Sequence, residues 1–85
     1  MKHIDEKTVI HCPTPEDAAG VLSIFVANGL KWNTGDTYSD VSNYHFHKSK
    51  TCYHPAQGLF SKIEYYEKNG YKIITAQEFI KTVMI

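Results

Sequence analysis

Four residues of types that ligate metals or carry thiol and proton chemistry fall within ten positions: His45, His47, Cys52 and His54. On extended backbone, side chains two apart share a face, so 45 goes with 47 and 52 with 54. A zinc ion needs about four such groups converging at roughly 2.0–2.3 Å. The spacing here matches none of the usual zinc patterns. The set is therefore the alternative, and no metal or other cofactor is expected. Cys52 and His54 also have the types of a nucleophile and its base. Leaving one strand about 6–7 Å apart, they are poorly placed to pair, and His11 or His54 reaching across from a neighbouring strand would serve better. Paired carboxylates, a glycine-rich phosphate loop and a serine elbow are all absent. The expectation is a non-enzyme with no catalytic residues, and a zinc-dependent or thiol enzyme is the alternative.

A second group points to binding. His11, Thr14, Trp32, Asn33, Thr34, Gly35, Tyr53 and His54 all sit where strands end or helices begin. Ligands of open parallel sheets lodge outside the carboxyl ends of strands, where the strand order reverses. Trp32 could stack on a ring, Asn33 to Gly35 could offer backbone amides, and the helix opening near Thr14 presents free amides to an anion. Glu16 and Asp17 in that first turn weaken the attraction. The chain also has six tyrosines, a residue type favoured in interfaces, which suggests a contact face and a homodimer.

Strand and helix signals alternate along the chain and must position these groups. Thr8–Cys12 is β-branched and reads as a strand. Thr14-Pro15-Glu16-Asp17 is a helix start, with a cap, a proline at the first helical position and acids at the positive end of the dipole. Ala18, Val21, Leu22 and Phe25 recur at helical spacing, and Asn28-Gly29 is the stop. Lys31-Trp32 opens a short second strand, and Asn33-Thr34-Gly35-Asp36 is turn chemistry. Residues 37–50 form a long loop in which Tyr44–His47 alternates as an edge strand. Residues 51–54 read as a strand stopped by Pro55. Ser61 caps a short helix running to Lys68, with Ile63 and Tyr66 facing inward. Tyr71–Thr75 is a strand, and Thr75-Ala76-Gln77-Glu78 is a capping box opening a last helix that buries Phe79, Ile80 and Val83.

The order strand, helix, strand, loop, strand, helix, strand, helix predicts an α/β fold with a small, mainly parallel four-stranded sheet. With those strands in spatial order 2-1-3-4, the ligand crevice falls between the strands ending at Cys12 and His54. The alternative is an α+β fold whose mixed sheet contains a hairpin over residues 44–54.

Composition narrows the partners. Eighty-five residues, 42% of them hydrophobic, make one domain over 1–85. Nine lysines balance nine acids, and there is no arginine. Without the bidentate guanidinium fork or a positive field, general nucleic-acid binding is not expected. A single nucleotide-like ligand held by rings and backbone amides, or a protein, remains the expected partner. No apolar run approaches the roughly 18 residues of a membrane span. Residues 1–6 lack the apolar stretch of a signal peptide, so the expected location is cytoplasmic.

Two resemblances follow from these motifs. The chain order, with Thr51-Cys52 as a short third strand and the closing Gly70–Phe79 segment, resembles a BRCT domain. That resemblance implies a protein-interaction module. Phe79 stands where the family has its final-helix tryptophan, and Thr14 and Lys62 fall nearest its phosphate-binding pair. Phosphopeptide binding is not carried over. Ile10-His-Cys-Pro-Thr14, Gly29-Leu-Lys-Trp-Asn-Thr-Gly35, Thr51-Cys-Tyr53, Tyr65-Tyr66 and Gly70-Tyr-Lys-Ile-Ile74 together resemble small accessory proteins of tailed phages. This second likeness implies a binding protein acting in the host cytoplasm on a host factor or a defence signal.

Overall fold

The computed structural model describes residues 5–83; the reading of residues 1–4 lies outside them. The strands are β1 (Thr8–His11), β2 (Thr51–His54), β3 (Leu59–Lys62) and β4 (Lys72–Thr75). The helices are α1 (Pro15–Ala27), α2 (Tyr44–His47), α3 (Ile63–Lys68) and α4 (Ala76–Val83), with a 3₁₀ turn at Lys48–Lys50. The sheet runs β3-β2-β1-β4. Only β1 and β4 are parallel; β1 with β2 and β2 with β3 are antiparallel.

The fold is therefore α+β with a mixed sheet, and the expected mainly parallel α/β sheet is not formed. Two segments account for the difference. Lys31-Trp32 is not a strand, because Trp32 turns its ring into the core while its backbone enters the 32–36 turn through Trp32 N–H to Asp36 O and Gly35 N–H to Trp32 O. Leu59–Lys62 forms the missing fourth strand, so Ser61 lies inside it and is no helix cap, and α3 starts after Lys62. A tight hairpin turn at Pro55–Gly58 then makes β2 and β3 antiparallel. The hairpin of the mixed-sheet alternative exists, but over 51–62. Tyr44–His47 is a helical turn and not an edge strand.

The period-two alternation of the strands splits the core between two faces. Ile10, Tyr53, Phe60 and Ile74 face α1 and α4, meeting Val21, Leu22, Phe25 and Phe79 together with Trp32 and Tyr38. Val9, Cys52 and Ile73 face α3, meeting Tyr66, Ile63 and Tyr71. The helix ends follow their sequence signals. Thr14 Oγ1 accepts from Asp17 N–H at 3.1 Å. Thr75 and Glu78 form the reciprocal box, with Glu78 N–H to Thr75 Oγ1 at 3.0 Å and Thr75 N–H to Glu78 Oε1 at 3.3 Å. Among the described residues, no helix is long and apolar enough to cross a membrane.

Candidate functional site: a cleft between residues 32–43 and the edge strand

Residues 28–50 run from α1 to β2 with little strand or helix pairing of their own, so their carbonyls need other donors. Core side chains supply several. The Trp32 indole N–H donates to Val41 O at 2.6 Å, and the Tyr53 hydroxyl to Ser42 O at 2.8 Å. The Thr51 hydroxyl reaches Tyr44 O at 3.4 Å. His11 Nε2–H donates to Ser49 O at 2.8 Å, and the Tyr44 hydroxyl in turn donates to Pro13 O at 2.8 Å. The long loop is thus pinned to the sheet by three side-chain donors, His11 of β1 and Thr51 and Tyr53 of β2.

This accounts for much of the expected binding set. His11, Trp32 and Tyr53 direct their polar atoms to loop carbonyls. His54, 1% exposed, donates from Nε2 to Glu6 O at 2.6 Å and sits between the rings of Tyr66 and Tyr71. Thr14 is engaged as a helix cap. The postulated crevice between the ends of β1 and β2 does not exist, because antiparallel strands do not present their carboxyl ends together. In the pairing Ile10 to Tyr53 and His11 to Cys52, His54 lies at the opposite end of the sheet from His11.

The alternative metal set does not assemble either. His45 and His47 lie on the α2 turn, while Cys52 and His54 point to the α3 face of the sheet. Among the described residues, no group of three or more His, Cys, Asp and Glu is placed to hold a metal ion. Burial pushes the Cys12 thiol far up and the Cys52 thiol up to about 12. Acids nearby add to both shifts. Such thiols are protonated and inert at neutral pH.

A different part of the binding set does come together. Trp32, Asn33 and Thr34 line an open cleft of about 300 Å³ with Asp36, Val41, Asn43, Gly58, Leu59 and Phe60. Its floor is apolar: the Trp32 ring packs edge-on against Phe60 at 5.5 Å between centroids. Among the described residues its rim is polar and carries one carboxylate and no cation. Gly35 falls in the adjoining turn, at φ 94°. Asn33 N–H donates to Gly58 O at 3.0 Å, which closes the floor between the loop and β3.

The α2 turn stands beside this cleft and is held in an uncommon backbone state at both ends. Asn43 has φ 59°, and Lys48 has φ 49° with ψ −120°, a region that favours glycine. Between them Phe46 is 61% exposed, and its ring meets Phe60 at 5.8 Å. Sequence reasoning missed Val41, Phe46, Leu59 and Phe60. The adjacent apolar pair Leu59-Phe60 is the available signal, and it stands next to Ser61, whose reading as a helix cap left no room for a strand there.

Comparison with protein-family models, with curated proteins and with solved structures finds no match to this chain.

Proposed function

We propose that this chain is a non-catalytic binding module that recognises a protein through the cleft between residues 32–43 and β3. One observation carries the reading. Among the described residues five large apolar side chains are exposed; two of them, Val41 and Leu59, line this cleft, and a third, Phe46, packs on Phe60 of its wall. Clustered exposed apolar groups rimmed by polar ones are the usual mark of a protein contact, whereas single ones are commonplace. The rim of Asn33, Thr34, Asp36 and Asn43 supplies hydrogen-bond partners that fix orientation. With Asp36 at the rim and no cation among the described residues lining it, the cleft suits an apolar or aromatic side chain better than a phosphate. The resemblance to tailed-phage accessory proteins makes a host protein the proposed partner.

Co-purification from host cells tests this with three tagged variants beside the parent chain. A partner retained by the parent and by Val26→Ser, whose site lies on α1, but lost from both Phe46→Ala and Val41→Ser supports the cleft. A partner retained equally by all the variants removes it.

A further inference from the structure

Two asparagine–glycine pairs stand in the chain, Asn28-Gly29 and Asn69-Gly70. Such a pair carries its own chemistry. The glycine nitrogen attacks the asparagine Cγ, a cyclic succinimide closes, and ammonia leaves. Glycine has no Cβ to shield its nitrogen or to restrain the backbone, and asparagine is among the thermolabile residues. Both pairs occupy the same place in the fold, with each asparagine capping the C-terminus of a helix, α1 or α3.

The folded backbone holds the reaction off at both. The ring closes only when the glycine nitrogen swings toward the side chain. At ψ 9° for Asn28 and 12° for Asn69, it nearly eclipses the asparagine's own nitrogen instead. The side-chain amides are also engaged: Asn28 Nδ2 donates to Ile24 O at 2.8 Å, and Asn69 Nδ2 to Tyr65 O at 2.6 Å. Each site therefore reacts only from an opened helix end.

The two ends do not open equally. α1 has thirteen residues, buries Ala18, Val21, Leu22 and Phe25, and packs on α4. Gly29 N–H closes its end on Val26 O at 3.0 Å. α3 has six residues and buries Tyr66 alone. Gly70 N–H reaches Glu67 O at 3.4 Å, a long and weak bond. So short a helix is held by its packing and not by its own turns.

We propose that Asn69 is the residue at which this domain deamidates, and that the product loosens α3 over Cys52. The Gly70 amide gives its proton to hydroxide, and its nitrogen bonds to Cγ of Asn69. The Cγ–Nδ2 bond breaks as Nδ2 takes a proton and leaves as ammonia. Water then opens the ring to aspartate or isoaspartate. Neither product donates to Tyr65 O, and both set a negative charge at the negative end of the α3 dipole. Tyr66 of α3 covers Val9 and Cys52, which is 0% exposed. That face of the sheet lies opposite the core holding Trp32 and Phe60, so the inference stands apart from whatever occupies the cleft.

Peptide mapping by mass spectrometry reads both sites in one sample of the full chain aged at mildly alkaline pH. In the folded chain Asn69 is expected to convert at least about tenfold faster than Asn28. In denaturant, where neither helix end holds, the two rates should meet. Equal conversion in the folded chain, or faster conversion of Asn28, overturns the proposal. So does an unchanged ratio in denaturant, which would place the difference in the neighbouring residues and not in the fold. Asn69→Asp reproduces the charge of the product. Its Cys52 is expected to be alkylated at least about fivefold faster than in the parent chain, while Asn28→Asp leaves Cys52 at the parent's rate. Cys12 lies in the core on the other face of the sheet and reports unfolding of the whole domain. A Cys52 rate unmoved by Asn69→Asp, or a rise that Cys12 shares equally, overturns the loosening of α3.

Discussion

Asn33 and Gly58 are in backbone contact: the Asn33 amide donates to the Gly58 carbonyl, and a Cβ placed on Gly58 would stand 2.5 Å from the Asn33 nitrogen. Gly58 also has φ +65°, and its other near neighbours, Lys31 O at 2.8 Å and Trp32 C at 2.9 Å, are main-chain atoms that cannot swing aside. Gly58→Ala combines left-handed strain with a backbone clash. It is expected to lose roughly 2–4 kcal/mol of stability in urea unfolding. A loss below about 1 kcal/mol would mean that the loop yields easily and the cleft floor is soft.

Trp32 and Phe46 border the same site but should behave oppositely. Trp32 is 6% exposed and packs on Tyr38, Tyr53 and Phe60, so Trp32→Ala is expected to cost about 3–5 kcal/mol, enough to unfold much of so small a domain. Phe46→Ala removes a largely solvated ring and should shift the unfolding midpoint little, within about 0.5–1 kcal/mol. Urea melts of the two variants check the contrast. Phe46, not Trp32, is therefore the residue whose loss reports on binding separately from folding.

Tyr38 carries the one buried side-chain polar atom without a hydrogen-bond partner among the described residues. Its ring meets Phe25 at 5.0 Å and Trp32 at 4.5 Å, contacts that phenylalanine would keep. Tyr38→Phe removes a desolvated hydroxyl that gives nothing back, so stability should be unchanged or higher by about 1 kcal/mol. A clear loss in thermal unfolding would show that the hydroxyl has a partner in solution.

Alkaline pH should weaken the fold. Burial raises the Cys52 thiol to about 12 from 9.0, and the Tyr38 hydroxyl to about 12 from 10.0. The unfolded chain therefore releases these protons first. The stability these groups contribute is complete below about pH 9, declines above it, and is gone once pH passes about 12. Urea midpoints should stay level from pH 7 to about 9 and then fall. Both thiols should resist alkylation in the folded chain at pH 8 and react promptly in denaturant. Labelling of the native chain at the rate of a free thiol would contradict the burial of Cys12 and Cys52.

Much of the helical framework was legible because its signals are local. Thr14 and Pro15 open α1, Asn28-Gly29 closes it, and Thr75 with Glu78 brackets the start of α4. Strand direction was not legible, since it depends on which distant segments meet. Leu59–Lys62 is a four-residue strand lying directly against a helix start, and no pattern within so few residues separates the two states. At the site, Trp32, Asn33 and Thr34 were legible as loop chemistry beside an aromatic ring. His11, Tyr53 and His54 misled because a polar aromatic at a strand end looks the same whether it awaits a ligand or ties down a carbonyl. Phe46 was hidden by apparent alternation in Tyr44–His47, which the left-handed residues Asn43 and Lys48 convert into a single helical turn.

The parallel match of Thr8 with Lys72 joins the start of the described chain to nearly its end. During synthesis β1 can gain β2 midway, yet its other flank has no neighbour until the last quarter of the chain has emerged. Until then Val9 and Ile10 border an unfinished sheet, and the nascent chain carries a sticky margin that the mature domain has sealed. Slow, late closure of this kind makes the domain sensitive to loss of β4 and α4, which flank β1 on the side away from the β2–β3 hairpin.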